Sequence, residues 1–465
     1  MLFSSLEFLY LFLPLTLVIY FILPKGKNHV LLVSSLIFYG LAQPRHLPLM
    51  LGICLADYTA GLVVANKMAK GHTRTADAAV IVAVGSNVLA LFVFKYLDPV
   101  ISILGGTPIG LELPAGISFY TFQAMSYVID VRRRCAEAQK DPLTFVTYVS
   151  LFPQLVAGPI VRYCEVEHSL KSRRHTAAQC AEGARLFCIG LAKKMLLANS
   201  AGEQWKLFAY YSKIAPSALG AWLGVIFFAF HIYFDFSGYS DMARGLGKIF
   251  GFEFPENFRY PYVSQSITEF WRRWHITLSS WFREYVYIPL GGNRRGKGRM
   301  YVNLFITWLL TGAWHGASVN FLLWGLYFFI ILALEKAFLL KLINKLYRPM
   351  RHIYALTLIL VGWLIFAADG VLSGGESLQY LGQMLGIGCV GATNDALYEL
   401  SRSLPFLAIM AIGATPLPSK ALSYLTAKRP TAAHALSCAL AFISLVVSTF
   451  YLADSGYNPF LYFRF

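Results

Sequence analysis

Apolar segments recur along the whole chain, near residues 8–24, 30–43, 47–66, 78–97, 114–131, 143–161, 183–200, 217–236, 301–334, 353–369, 404–415 and 432–452. Most approach the roughly 20 residues that a helix needs to cross the hydrocarbon core of a bilayer. Lipid offers no partner for an exposed N–H or C=O, so a spanning chain must satisfy its backbone internally. Composition agrees: 57% of the 465 residues are hydrophobic and 14% are charged, whereas soluble domains carry roughly 25% charged residues. Too few charges are present to cover a soluble fold of this length. The expected class is an all-α polytopic membrane protein, a single membrane domain over residues 1–465.

Forty Lys and Arg against 24 Asp and Glu give a net charge of +16. The cations cluster in short loops between apolar segments, which is the positive-inside pattern and suits anionic lipid head groups. No zinc finger, basic helix or low-complexity tail points to nucleic acid. None of the seven cysteines forms a Cys-x-x-Cys pair, which argues against a disulfide framework or a metal site. The first residues lack the basic start of a secretory signal, so the first apolar run is expected to be retained.

Placing the loops that carry Lys25 and Lys27, Lys67, Lys70 and Arg74, and Arg132 to Arg134 in the cytoplasm puts the N-terminus outside. The alternation then fails twice. Segment 143–161 has basic loops on both sides and contains Pro153, Gly158 and Pro159. Such an interrupted backbone is tolerated at membrane depth only inside protein or facing a cavity, so a re-entrant element is expected. Segment 301–334 is also flanked by cations on both sides, Arg294, Arg295, Lys297 and Arg299 before it and Lys336 to Arg351 after it. It reads as a hairpin that enters from the cytoplasm and returns, with Gly312, His315 and Gly316 near its deepest point. The stretch 237–300, dense in aromatics and arginine, reads as a cytoplasmic insertion suited to interfacial helices.

His315 is the strongest lead to chemistry. An imidazole inside an apolar segment is costly unless it faces protein or a watery cavity, and it exchanges protons near neutral pH. The alternative is a buried histidine satisfied by a backbone carbonyl. His275, in Trp271-Arg272-Arg273-Trp274-His275, is a second candidate base on the cytoplasmic side, or an interfacial histidine among aromatics. The loop 291–299 (GGNRRGKGR) combines glycines with Arg294, Arg295 and Lys297. It could cradle phosphates or be a solvated basic loop. His231 and Asp235 lie one helical turn apart and can share a face, either orienting a catalytic group or holding the bundle together. The absence of G-x-S-x-G and H-E-x-x-H disfavours a serine hydrolase and a zinc protease. A transporter or flippase is the rival class, although no internal repeat of the transporter kind is visible.

Residues 113–123 (LPAGISFYTFQ), 152–162, 234–241, 257–292, 308–324 and the ending 459–465 (PFLYFRF) together resemble the membrane-bound O-acyltransferase family. Within it, the chain is similar to the bacterial alginate O-acetyltransferase membrane subunits and their cellulose, peptidoglycan and teichoic-acid relatives. The resemblance implies a ring of about 10–12 membrane helices, near the count that ~20-residue spans give, around a central funnel or tunnel. It implies that His315 is the essential catalytic histidine and His275 the second motif histidine. It further implies a cytoplasmic thioester donor, acetyl-CoA, whose phosphates would meet Arg294, Arg295 and Lys297. It implies no permanently held cofactor. The acyl group would be delivered outward across the bacterial inner membrane, to a periplasmic acetyltransferase partner and the polysaccharide machinery.

Overall fold

A computed structural model describes residues 3–454 apart from 157, 368–371 and 373. The closing stretch 459–465 lies outside the described residues. Among the described residues, regular structure is helical, and the one β feature is an isolated bridge between Ser217 and Val390. Five helices among them are long and apolar enough to cross a membrane: Pro44–Ala69, Thr73–Ile103, Ala218–Ile249, Arg348–Ala367 and Pro430–Asp454. A sixth is added if Asn394–Gly413 and Leu417–Lys428, bent by 62°, form one span. The other apolar segments are largely helical too; the first, for example, is Phe8–Ile22. The protein is a multi-pass membrane protein.

Burial separates a central helix from peripheral ones. The apolar window of Ala218–Ile249 is 78% buried, against 11% for Thr73–Ile103 and 6% for Pro430–Asp454. The central helix packs along Ala177–Ala192 and Asn199–Ile214. Glycine sets how closely: a Cβ on Gly190 would lie 2.5 Å from Gly238 O, and one on Gly245 would lie 2.5 Å from Gly183 O. Ser237, Gly238 and Ser240, at the start of the expected polar insertion, are small, buried residues in a helix that continues to Ile249. Their smallness serves helix contact, not a loop. Asp235 belongs to the same crossing, with Lys194 at 2.6 Å and both side chains fully buried. His231 Nδ1 lies 2.7 Å from Ala198 O. Both therefore tie the central helix to its neighbour.

The interrupted segment 143–161 is helical over Pro142–Ser150, breaks at Leu151, forms one turn over Phe152–Leu155 and leads to Tyr163–Lys171. Side chains satisfy the broken backbone, as burial requires. Phe152 N–H donates to Ser35 Oγ (3.0 Å) and Ile160 N–H to Thr277 Oγ1 (3.0 Å). Gln154 Nε2 donates to Tyr148 O (2.7 Å) and Tyr148 OH to Val161 O (2.9 Å).

Segment 301–334 is a helical hairpin, Lys297–His315 followed by Val319–Leu334. His315 closes its first helix and Gly316 starts the turn. The two helices cross at a pair of glycines. A Cβ on Gly325 would fall 2.5 Å from Trp308 O and 3.4 Å from Gly312 Cα.

Candidate active site

The WRRWH stretch is built from both ends. Its short helix, Ile267–Trp271, starts at Ser266, whose Oγ accepts from Glu269 N–H at 3.0 Å. The exposed N–H groups at such a start need acceptors. Glu335, buried at the end of the second hairpin helix, supplies them. Its carboxylate accepts from Ile267 N–H (2.8 Å), Thr268 N–H (2.8 Å), Thr268 Oγ1 (2.6 Å) and Tyr354 OH (3.1 Å). This clamp fixes the motif against the hairpin. Glu335→Ala would leave buried donors unpaired, at about 1–3 kcal/mol each. We expect a clear fall in the apparent melting temperature of the purified protein in detergent, with Glu335→Gln intermediate because it keeps one acceptor oxygen.

His275 follows, in the left-handed region at φ 42°, ψ 56°, an uncommon conformation for a non-glycine residue. Its Nδ1 lies 3.1 Å from Asn257 Oδ1, which also accepts from Thr277 Oγ1 (2.9 Å) and Thr277 N–H (3.3 Å). Asn257 Nδ2 donates to Gly158 O (3.4 Å), which assigns the amide. An amide oxygen only accepts, so His275 Nδ1 carries the proton. In the neutral ring, Nε2 is then the basic nitrogen.

His315 is 5% exposed and His275 2% exposed. The His315 ring stands among aromatic faces, with centroids 4.8 Å from Trp314, 5.2 Å from Trp324 and 5.1 Å from Phe366. Trp314 also stands 6.4 Å from the His275 ring. Both histidines line one cavity of about 380 Å³, walled by Trp271, Trp308, Trp324 and Phe366 and reached by the exposed cations Arg272, Arg283 and Lys336. An aromatic-walled cavity with two imidazoles can hold an acyl chain and move a proton.

The structure thus brings His275 and His315 together. It leaves Arg294, Arg295 and Lys297 apart from them: all three are exposed and none lines the cavity. The reason is helical geometry. Lys297 and His315 sit at opposite ends of one helix, about 27 Å apart at 1.5 Å per residue. Asn257, Glu335 and the cations Arg272, Arg283 and Lys336 escaped the sequence reading. Glu335 had a signal, a lone carboxylate ending a long apolar run; Asn257 had none.

A model of the membrane-bound O-acyltransferase family matches residues 66–372, a span that includes both histidines and the whole hairpin. The chain belongs to that family. It is an acyltransferase, similar to the group of alginate O-acetylases. A Pseudomonas putida protein named "Probable alginate O-acetylase AlgI" is 37% identical over 100% of both chains. The peptidoglycan O-acetyltransferase of Helicobacter pylori is 32% identical over 86% of this chain and 82% of its own. The teichoic acid D-alanyltransferase of Bacillus subtilis is 27% identical over 64% of this chain and 78% of its own.

Proposed function

We propose that the protein moves an acetyl group from acetyl-CoA in the cytoplasm across the bacterial inner membrane, for O-acetylation of an exopolysaccharide such as alginate or cellulose. The observation that carries this reading is the shared aromatic cavity of His275 and His315 at the turn of a helical hairpin. The full-length similarity to an alginate O-acetylase favours an exopolysaccharide over peptidoglycan. A periplasmic acetyltransferase completes the delivery, and the basic loops face the cytoplasm with the N-terminus outside.

In this mechanism, His315 takes the proton of an acceptor hydroxyl as its oxygen attacks the thioester carbonyl. The tetrahedral intermediate collapses with cleavage of the C–S bond, and the imidazolium returns the proton to the departing thiolate. His275, held as the Nδ1–H tautomer by Asn257, offers a second basic nitrogen on the same wall. Arg272, Arg283 and Lys336 meet the donor phosphates, a role that guanidinium and ammonium groups suit. They replace the 291–299 loop in that role.

The test is steady-state turnover of acetyl-CoA by the purified protein. Arg272→Gln, Arg283→Gln and Lys336→Gln together are expected to raise KM for acetyl-CoA about tenfold or more with kcat little changed, the signature of lost ground-state binding. An unchanged KM would remove these cations from donor recognition.

A further inference from the structure

Lys95 is a cation in the apolar run of Thr73–Ile103, the helix whose spanning window is only 11% buried. An ammonium at such a place is costly and needs a specific partner. Lys95 does not line the cavity shared by the histidines. Its Nζ donates instead to Trp314 O and stands 5.5 Å from the Trp314 ring centroid. The next residue, Tyr96, donates its hydroxyl to Ala313 O and reaches Gly316 O at 3.2 Å.

These carbonyls belong to the turn that carries His315. The last carbonyls of a helix lack partners within it, and here the chain reverses at Gly316. Within the hairpin, Gly316 N–H reaches only Ala313 O, at 3.2 Å. The remaining demand is met from the neighbouring helix, and a cation at a helix C-terminus also complements its dipole. Carbonyls on both sides of His315, those of Trp314 and Gly316, are therefore tied to two consecutive residues of one other helix.

We infer that Lys95, with Tyr96, is a positioning residue that fixes the backbone of the His315 turn and so aims the imidazole into the cavity. The inference rests on His315 as the acyl-transfer base. Lys95 touches neither donor nor acceptor in this scheme and acts through the turn.

The experiment compares Lys95→Met, Lys95→Arg and Tyr96→Phe with wild type in the full-length protein. Two readouts are taken: hydrogen–deuterium exchange of peptides covering 300–308 and 309–318, and polymer O-acetylation per mole of protein in the host cell. Lys95→Met is expected to speed exchange in 309–318 at least about tenfold while leaving 300–308 unchanged. It should lower O-acetylation about tenfold or more, since small misplacements of a catalytic group are costly. Lys95→Arg, which restores a cationic donor, should recover most of both, a rescue that a mere packing role would not give. Tyr96→Phe should loosen the same peptides to a lesser degree, and it reads the same turn if Lys95→Met fails to accumulate. Unchanged exchange in 309–318 for Lys95→Met or Tyr96→Phe overturns the inference, as does equal loosening of both peptides. Faster exchange at the turn in a protein whose wild type acetylates nothing would leave the clamp standing and sink the proposed function alone.

Discussion

His315→Ala is expected to lower polymer O-acetylation by about 10²–10⁴-fold, the usual contribution of a general base, while the protein accumulates in the membrane at wild-type level. The two halves of this expectation have separate grounds. The loss follows from the ring's position in the cavity wall shared with His275. The intact fold follows from what surrounds the ring. His315 ends its helix, its neighbours Trp324 and Phe366 pack on each other and Phe366 on Trp363, Trp314 packs separately on Phe119 and Phe122, and truncation enlarges a cavity that already exists. Cellular O-acetylation normalised to protein level, with a melting curve of the purified variant, checks both. Wild-type acetylation by His315→Ala would remove the residue from the chemistry.

Gly312→Val is expected to be nearly as damaging to activity by an unrelated route. A Cβ at Gly312 would run into Phe321 O and stand 3.5 Å from Gly325 Cα, on the partner helix of the hairpin. Neither obstacle is a flexible side-chain tip; both are helix backbone, so the two helices must separate. Overpacking of this kind costs about 1–3 kcal/mol. It also displaces the turn three residues further on, where His315 sits, and a shift of about 1 Å in a catalytic group can cost 10²-fold in rate. Both melting temperature and O-acetylation should therefore fall. Gly298→Val is the matched control: it lies in the first turn of the same helix with nothing within 4 Å of the added Cβ, so it should leave both unchanged. Wild-type behaviour of Gly312→Val would show that the hairpin is not held by this contact.

What the sequence displayed was governed by cost. An ionisable side chain in an apolar run is conspicuous, and that logic found His315. Applied evenly, it would also have found Lys95 and Glu335, charges in or at the end of such runs. Same-side basic flanks mark segment 301–334 as a hairpin entering from the cytoplasm, and the folded chain divides it into two packed helices, Lys297–His315 and Val319–Leu334. Local reading failed where small residues carry long-range contacts. Residues 237–241 looked like the end of a span, yet Gly238 is small because Gly190 packs against it. The 291–299 loop has the composition of a phosphate cradle, and a helix of 19 residues separates it from His315. Asn257 lies 18 residues from His275 in an irregular stretch, and only the folded chain places its Oδ1 on the ring.

Transfer from radiolabelled acetyl-CoA, supplied on the side of the basic loops in sealed membrane vesicles, tests the central claim most directly. Wild-type protein and His315→Ala are compared at matched levels, with base-labile label in a polysaccharide hydroxyl ester as the readout. The account predicts label from the wild type and essentially none from His315→Ala. Equal labelling by the two proteins would contradict it.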